Sequence, residues 1–394
     1  MNTFVRLVTL TLLTFSLGTL TACEESNEKK PLKVYILAGQ SNMQGHAMVT
    51  TFERMKLNPK QAEFLKEIQN SEGKALELDD VRISAIGLSK DDNEVATGKL
   101  TTGFGARGRG DKIGPEYTFG IYMNKALKEP ILIIKTAWGG KSLYQDFRSP
   151  SAGVFKLEGK ETDPRVSGKY YRLMIKHIKT VLADINQEYE ISGFAWFQGW
   201  NDMVNRGVYP NRSKPDGYAS YGKVLCHFIR DVRKDLSAPK MPFVIGVMGT
   251  DGLATKESEE KMQKRYRGIA PAFRTAMAYP ATLDEFKGNV TAVKTGKYWD
   301  VELSQLLERQ SVINAKVKKE VGLAKGTKLS SEEQKAQRKK EDELREKLMA
   351  KEFTENERKV LATGKSNAGY HYNGSALTMA GIGRGFAEAM LEFK

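Results

Sequence analysis

Two cysteines, four histidines and four tryptophans in 394 residues leave this chain poor in metal-binding and redox side chains. The histidines are scattered and no CxxC or HExxH spacing occurs, so no metal centre is expected. Cys226 has only Cys23 as a disulfide partner, and if Cys23 is used otherwise none can form within the chain. The fold must then stand on its core, and 40% hydrophobic content is ample for one large domain. Missing too is an uncharged apolar run of the ~20 residues that a membrane-spanning helix needs. The net charge of +14 comes from 62 basic residues dispersed among 48 acidic ones. No nucleic-acid-binding module accompanies them, so nucleic acid is not an expected partner. No internal repeat is evident.

What is present begins with Arg6, the uncharged stretch Leu7 to Leu20, and Leu20-Thr21-Ala22-Cys23. A basic start, a short apolar core and small residues at a cut point describe an export signal. The cysteine at the cut makes the segment resemble a bacterial lipoprotein leader over residues 1–23. That resemblance implies a lipid on Cys23, a tether over 24–30, and an exported, membrane-anchored protein on the periplasmic or cell-surface side.

Buried-strand runs recur at Lys33 to Ala38, Ile131 to Thr136, Gly193 to Gln198 and Pro242 to Met248. Helical periods lie between or after them, at Tyr117 to Leu127, Tyr170 to Ile185 and Tyr221 to Asp235, and again at Gly374 to Phe393. Strand alternating with helix predicts an α/β fold, a three-layer α/β/α sandwich about a mostly parallel sheet. The composition shifts to Lys, Arg and Glu over Lys328 to Lys359, where Ser330 with Glu333 and Thr354 with Glu357 fit two capping boxes. Residues 31–303 and 363–394 are therefore expected to form one domain, interrupted by a charged helical insertion over 304–362.

Acyl transfer to water needs a nucleophile, a base and donors for the oxyanion. Ser41 follows the first apolar run on a polar turn, Gly39-Gln40-Ser41-Asn42, where ligands of open α/β sheets gather. Of the histidines, His177 and His227 fall inside predicted helices and His46 is close behind Ser41. His371 stands in a loop before the last helix and is the expected base. Gly139 and Gly140, ending the second run, permit the close backbone approach of an oxyanion hole. Two rival motifs fail their context. Gly103-Phe104-Gly105-Ala106-Arg107-Gly108 satisfies G-x-G-x-x-G, but it follows a poor strand and opens no helix. Ser41 lacks the second glycine of a G-x-S-x-G elbow.

Four blocks, Gly39-Gln40-Ser41-Asn42-Met43, Ala137-Trp138-Gly139-Gly140-Lys141-Ser142-Leu143, Trp196-Phe197-Gln198-Gly199-Trp200-Asn201-Asp202 and Tyr370-His371-Tyr372-Asn373-Gly374-Ser375-Ala376, resemble a known set in the same order. The chain is similar to the sialate O-acetylesterase and acetylxylan esterase branch of the SGNH hydrolases. The resemblance implies a serine esterase removing O-acetyl groups from carbohydrate, with Ser41 and His371 catalytic and no cofactor. It further implies an oxyanion hole of Gly139, Gly140 and Asn201, and substrate contacts from Gln40, Gln198, Trp138 and Trp200. Two departures stand out. The third block has Gly-Trp-Asn-Asp where this branch more often has Gly-Glu-x-Asp. Ala368 sits three residues before His371, where the family usually places an Asp. The group orienting His371 is thus open between Asp202, Asp300, a main-chain carbonyl and none. The missing acid also motivates the alternative of a catalytically impaired carbohydrate-binding or scaffold lipoprotein on the same fold.

Overall fold

Along Leu32–Gly39 the side chains alternate between two faces. Val34, Ile36 and Ala38 enter one hydrophobic cluster, and Tyr35 and Leu37 enter a second on the other side. A strand buried on both faces needs layers above and below it, and the computed structural model supplies them. It describes residues 30–157, 159–252, 266, 268–323, 327 and 329–393. Residues 31–394 make one compact unit, and the proposed leader with Cys23 lies outside the described residues.

Seven strands form the sheet: β1 (Leu32–Gly39), β2 (Leu78–Ile86), β3 (Val95–Leu100), β4 (Ile131–Ala137), β5 (Tyr189–Phe197), β6 (Phe243–Val247) and β7 (Val290–Lys294). Their spatial order is β7-β6-β5-β1-β4-β2-β3. Every pair is parallel except the edge pair of β2 with β3. On one face pack α2 (Lys169–Ala183), α3 (Ala219–Asp235) and α4 (Ala270–Ala278), through residues such as Met174, Ile178, Leu225, Phe228 and Phe273. On the other lie α1 (Pro115–Leu127) and α8 (Ala376–Leu391), through Phe119, Met123, Ile382 and Phe386. This is the three-layer α/β/α sandwich.

Between β7 and α8 run α5 (Val301–Val321), α6 (Ser331–Glu352) and α7 (Glu355–Gly364). They share a small hydrophobic cluster of their own, including Leu306, Ile313, Val317, Met349 and Val360. Both capping boxes form, Ser330 with Glu333 and Thr354 with Glu357.

The register of β1 sets up the site. Gly39 pairs with Ala137 at the end of β4 and with Phe197 at the end of β5. The loops carrying the first three sequence blocks therefore leave adjacent strands at the same carboxyl edge. From β1 the chain crosses to β2 and the edge strand β3 on one side, returns to β4 beside β1, and then winds outward on the other side through β5, β6 and β7. β1 is thus the switch point where a doubly wound sheet opens a crevice.

Candidate active site

Ser41 opens a single helical turn, Ser41–Gln44, directly after β1. The turn can lie this close to the sheet because residue 39 has no side chain: a Cβ on Gly39 would sit 2.2 Å from the Phe197 carbonyl oxygen. Two polar clamps hold it. In front, the buried Gln40 accepts at Oε1 from Gly199 N at 3.1 Å, Asn201 N at 3.3 Å and Gln198 Nε2 at 3.1 Å. Three donors on one atom identify it as the oxygen, which turns Nε2 toward Ser41 Oγ at 3.4 Å. Behind, Lys135 Nζ donates to Gln44 O at 2.8 Å, to Phe104 O at 2.8 Å and to Glu116 Oε2 at 2.6 Å. Lys135 and Glu116 are fully buried, and burial pulls both toward their neutral forms, Glu116 up and Lys135 down, against their mutual attraction.

His371 lies in the loop Gly369–Gly374, whose Tyr372 (φ 53°) and Asn373 (φ 57°) adopt left-handed backbone that non-glycine residues avoid. Such strain persists where the surroundings over-determine it. Tyr372 is fully buried, its hydroxyl accepting from Gly249 N at 2.8 Å and lying 2.7 Å from Thr295 Oγ1. Asn373 O accepts from Ser366 N and Asn367 N, both at 2.9 Å. The loop is tied to the nucleophile turn by Asn42 Nδ2, which donates to Tyr370 O at 3.2 Å. Ser41 and His371 are so brought to one place, although no hydrogen bond joins them among the described residues. Catalytic bonds of this kind are often long before substrate binds.

The imidazole of His371 stacks on that of His46, centroids 3.9 Å apart and planes 1° from parallel. Its Nδ1 lies 3.0 Å from Asn367 Oδ1. Burial lowers His371 to about 4, so the ring is a neutral base at neutral pH. Neither carboxylate considered from the sequence is its partner. Asp202 is wholly buried and accepts from Leu143 N at 2.8 Å, Tyr144 N at 3.2 Å, Gln198 Nε2 at 2.6 Å and Tyr209 Oη at 2.9 Å. Burial outweighs these bonds and raises it to about 6. It fastens the second block to the third. Asp300 pairs with Arg54 at 3.2 Å and caps α5 through Leu303 N at 3.1 Å.

The expected oxyanion donors collect on the rim beside Ser41. Gly139 and Gly140 are exposed, and Gly140 turns with φ 70°. Asn201 Nδ2 donates one hydrogen to Gly140 O at 2.9 Å, leaving its second for another acceptor. The expected sugar contacts divide. Trp138, Gln198 and Gln40 are each 2% exposed or less and present no surface to a ligand here. Trp138 packs edge-on to Tyr170 at 5.4 Å in the core, and both glutamines belong to the network under the turn. They are positioned for support, contrary to the expectation of sugar contact, because apolar burial and hydrogen bonding consume them. Trp200 is only half-buried and forms an aromatic shelf with Tyr266 at 5.1 Å and Tyr370 at 5.5 Å. Tyr370 is 44% exposed and its ring lies 4.4 Å from that of His371.

A family model described as a carbohydrate esterase, sialic acid-specific acetylesterase, matches residues 31–292. The chain belongs to this carbohydrate esterase family. The match covers the first three blocks, whose loops meet at the end of β1. Solved structures similar to this family member include a protein from Arabidopsis thaliana at 18% identity, covering 68% of this chain and 86% of that one with a TM-score of 0.39. A carbohydrate acetylesterase from Xanthomonas citri matches at 14% identity over 63% of this chain and 48% of its own, TM-score 0.36. NanS matches at 15% identity over 67% and 78%, TM-score 0.36. The curated proteins contain no match. Reasoning from the sequence gave Asn42 and Asn367 no role and set His46 aside as a base. The signal that points to Asn42 is its place in the nucleophile block, and to His46 its position just behind that block.

Proposed function

We propose that this family member is a serine esterase that removes O-acetyl groups from a carbohydrate such as acetylated xylan or a sialic acid. The observation that carries the reading is the register of β1, which gathers the nucleophile turn, the glycine loop and the Asn201 loop at one edge where the His371 loop also docks. Ser41 Oγ attacks the acetyl carbonyl carbon while His371 Nε2 takes its proton. The C=O pair moves onto oxygen, where the backbone N–H groups of Ser41 and of Gly139 or Gly140 and the free hydrogen of Asn201 Nδ2 receive it. Collapse expels the sugar oxygen, protonated by His371, and leaves acetyl-Ser41. Water, deprotonated by the same imidazole, then releases acetate. Trp200 and Tyr370 offer apolar faces beside His371 on which a sugar ring can rest. Nothing in this cycle requires a cofactor. Acylation of Cys23 would hold the enzyme to a membrane surface after export, with residues 24–30 as tether.

The test compares acetate release from 4-nitrophenyl acetate, acetylated xylan and an O-acetylated sialic acid by the wild-type protein and by Ser41→Ala. The reading predicts turnover of at least one sugar ester and its loss in the variant. Equal turnover by both proteins would overturn it.

A further inference from the structure

The environment of His371 defines which of its nitrogens is protonated. Asn367 Oδ1 accepts the Ala368 backbone N–H at 2.7 Å, and a backbone amide is only ever a donor. The atom in that position is therefore the amide oxygen, not the nitrogen. The same oxygen faces His371 Nδ1 at 3.0 Å. An acceptor there requires Nδ1 to carry the proton, leaving the Nε2 lone pair free. Asn367 is itself held, its N–H bound to Asn373 O at 2.9 Å, and a Cβ on Gly374 would meet its backbone nitrogen at 2.6 Å. One face of the imidazole is closed by His46, stacked at 3.9 Å.

We propose that Asn367 is the positioning residue of the base, an uncharged amide doing for His371 what a carboxylate does elsewhere in serine esterases; the proposal rests on the Ser41–His371 reading. A carboxylate in this place both sets the tautomer and stabilises the imidazolium formed in the transition state. An amide oxygen sets the tautomer equally well but offers a dipole in place of a charge. Among the described residues, the titratable groups against the ring supply no such charge: they are His46 on one face and Tyr370 edge-on at 4.4 Å, and the charged groups acting on His46 are the cations Lys112 and Lys135. Substituting a carboxylate at position 367 therefore adds a negative charge that the described surroundings of the ring do not provide, and it keeps the acceptor that Ala368 N–H requires.

The experiment measures kcat, KM and their pH profiles for the full chain as wild type, Asn367→Asp, Asn367→Leu and Ser41→Ala, on whichever acetyl ester is turned over. Asn367→Leu is expected to lower kcat by about tenfold or more, a part of the ~100- to 10,000-fold that a well-placed base supplies, with KM within about twofold. Asn367→Asp is expected to restore kcat and to move the basic-form inflection of kcat/KM upward by about one pH unit or more, as a carboxylate in contact with an imidazole does. Nitrogen-15 NMR of the wild-type imidazole is expected to show Nδ1 protonated. An unchanged kcat in Asn367→Leu, an Asn367→Asp profile superimposable on wild type, or an Nε2-protonated ring would each overturn the proposal while Ser41→Ala remains inactive. Turnover surviving in Ser41→Ala would instead remove the reading on which it rests.

Discussion

Replacing Lys135 by methionine removes the clamp behind the nucleophile turn and leaves almost the same volume. The side chain has no exposed surface, and its three ammonium hydrogens are matched by three acceptors: Gln44 O, Phe104 O and Glu116 Oε2. In the variant Glu116 keeps backbone N–H donors, Gly114 N among them at 2.8 Å, and becomes a buried carboxylate without the Lys135 counter-charge. Breaking a buried pair from one side costs about 3–5 kcal/mol, most of it from the stranded partner. The wild-type carboxyl is already pushed upward by burial, and loss of the ammonium pushes it further. A group whose folded pKa lies above its unfolded value stabilises the fold below the unfolded value and loses that contribution as pH rises through the folded one. The deficit of Lys135→Met is therefore largest at pH 8 and shrinks toward pH 5. Lys135→Met/Glu116→Gln, which strands no charge, is expected to regain much of it. Urea unfolding of the three proteins at pH 5, 6.5 and 8 checks this. Esterase activity should fall in the single variant even at temperatures where it is folded, since Gln44 ends the turn that carries Ser41. A loss under about 1 kcal/mol, or a deficit that does not depend on pH, would refute the reasoning.

Trp200→Ala should raise KM for an acetylated oligosaccharide by about two- to tenfold, the worth of one aromatic contact, and leave 4-nitrophenyl acetate nearly unaffected; steady-state kinetics on both substrates decides. Asn42→Ala removes the bond to Tyr370 O that joins the nucleophile turn to the histidine loop. It is expected to cost about 1 kcal/mol of stability but a larger factor in kcat, read by urea unfolding beside turnover. Acid should destabilise the protein through its buried neutral histidines. Burial lowers His177 and His371 to about 4 and His46 to about 3, from an ordinary 6.5. Their folded forms bind fewer protons than the unfolded chain, so stability holds above pH 6.5 and is lost between there and pH 4, about 3 kcal/mol for the well-buried His177. Asp202, raised to about 6, acts in the opposite sense and loses its contribution as pH rises through 6. His177→Gln should flatten the acid limb of an unfolding series.

The three-layer sandwich was legible because β1, β4, β5 and β6 are apolar runs buried on both faces, and α1, α2, α3 and α8 carry clear helical periods. The edges were not. β2 opens Leu-Asp-Asp before its buried second half, and the edge strand β3 reads Val-Ala-Thr-Gly-Lys-Leu with most of its residues exposed, mixed patterns that no buried-strand run describes. The segment before the G-x-G-x-x-G match, read as a poor strand, contains the end of β3 at Leu100, but an antiparallel edge strand with no helix behind it makes no dinucleotide site. α5 was hidden for a different reason: its buried residues Leu303, Leu306, Ile313 and Val317 face a small satellite core, not the sheet. In the candidate site, the loops carrying Ser41 and His371 could be read from the sequence, and the fold brings these two loops together. The support could not, because Gln40, Gln198 and Lys135 act through partners distant in sequence, such as Gln198 for Gln40, 158 residues away, and Gln44 for Lys135, 91 away, and Asn367 through a four-residue loop geometry that no periodicity encodes. The same holds for Trp138, whose aromatic ring suits a sugar on paper but a core in the fold.

The central claim is that Ser41 is the nucleophile of a carbohydrate esterase. The most direct measurement treats the protein with a serine-reactive phosphonate and maps the modified peptide by mass spectrometry, alongside acetate release. The account predicts a single covalent adduct on Ser41 that abolishes turnover, and no adduct in Ser41→Ala. An adduct on another residue that abolishes turnover, or full turnover with Ser41 blocked, would contradict it.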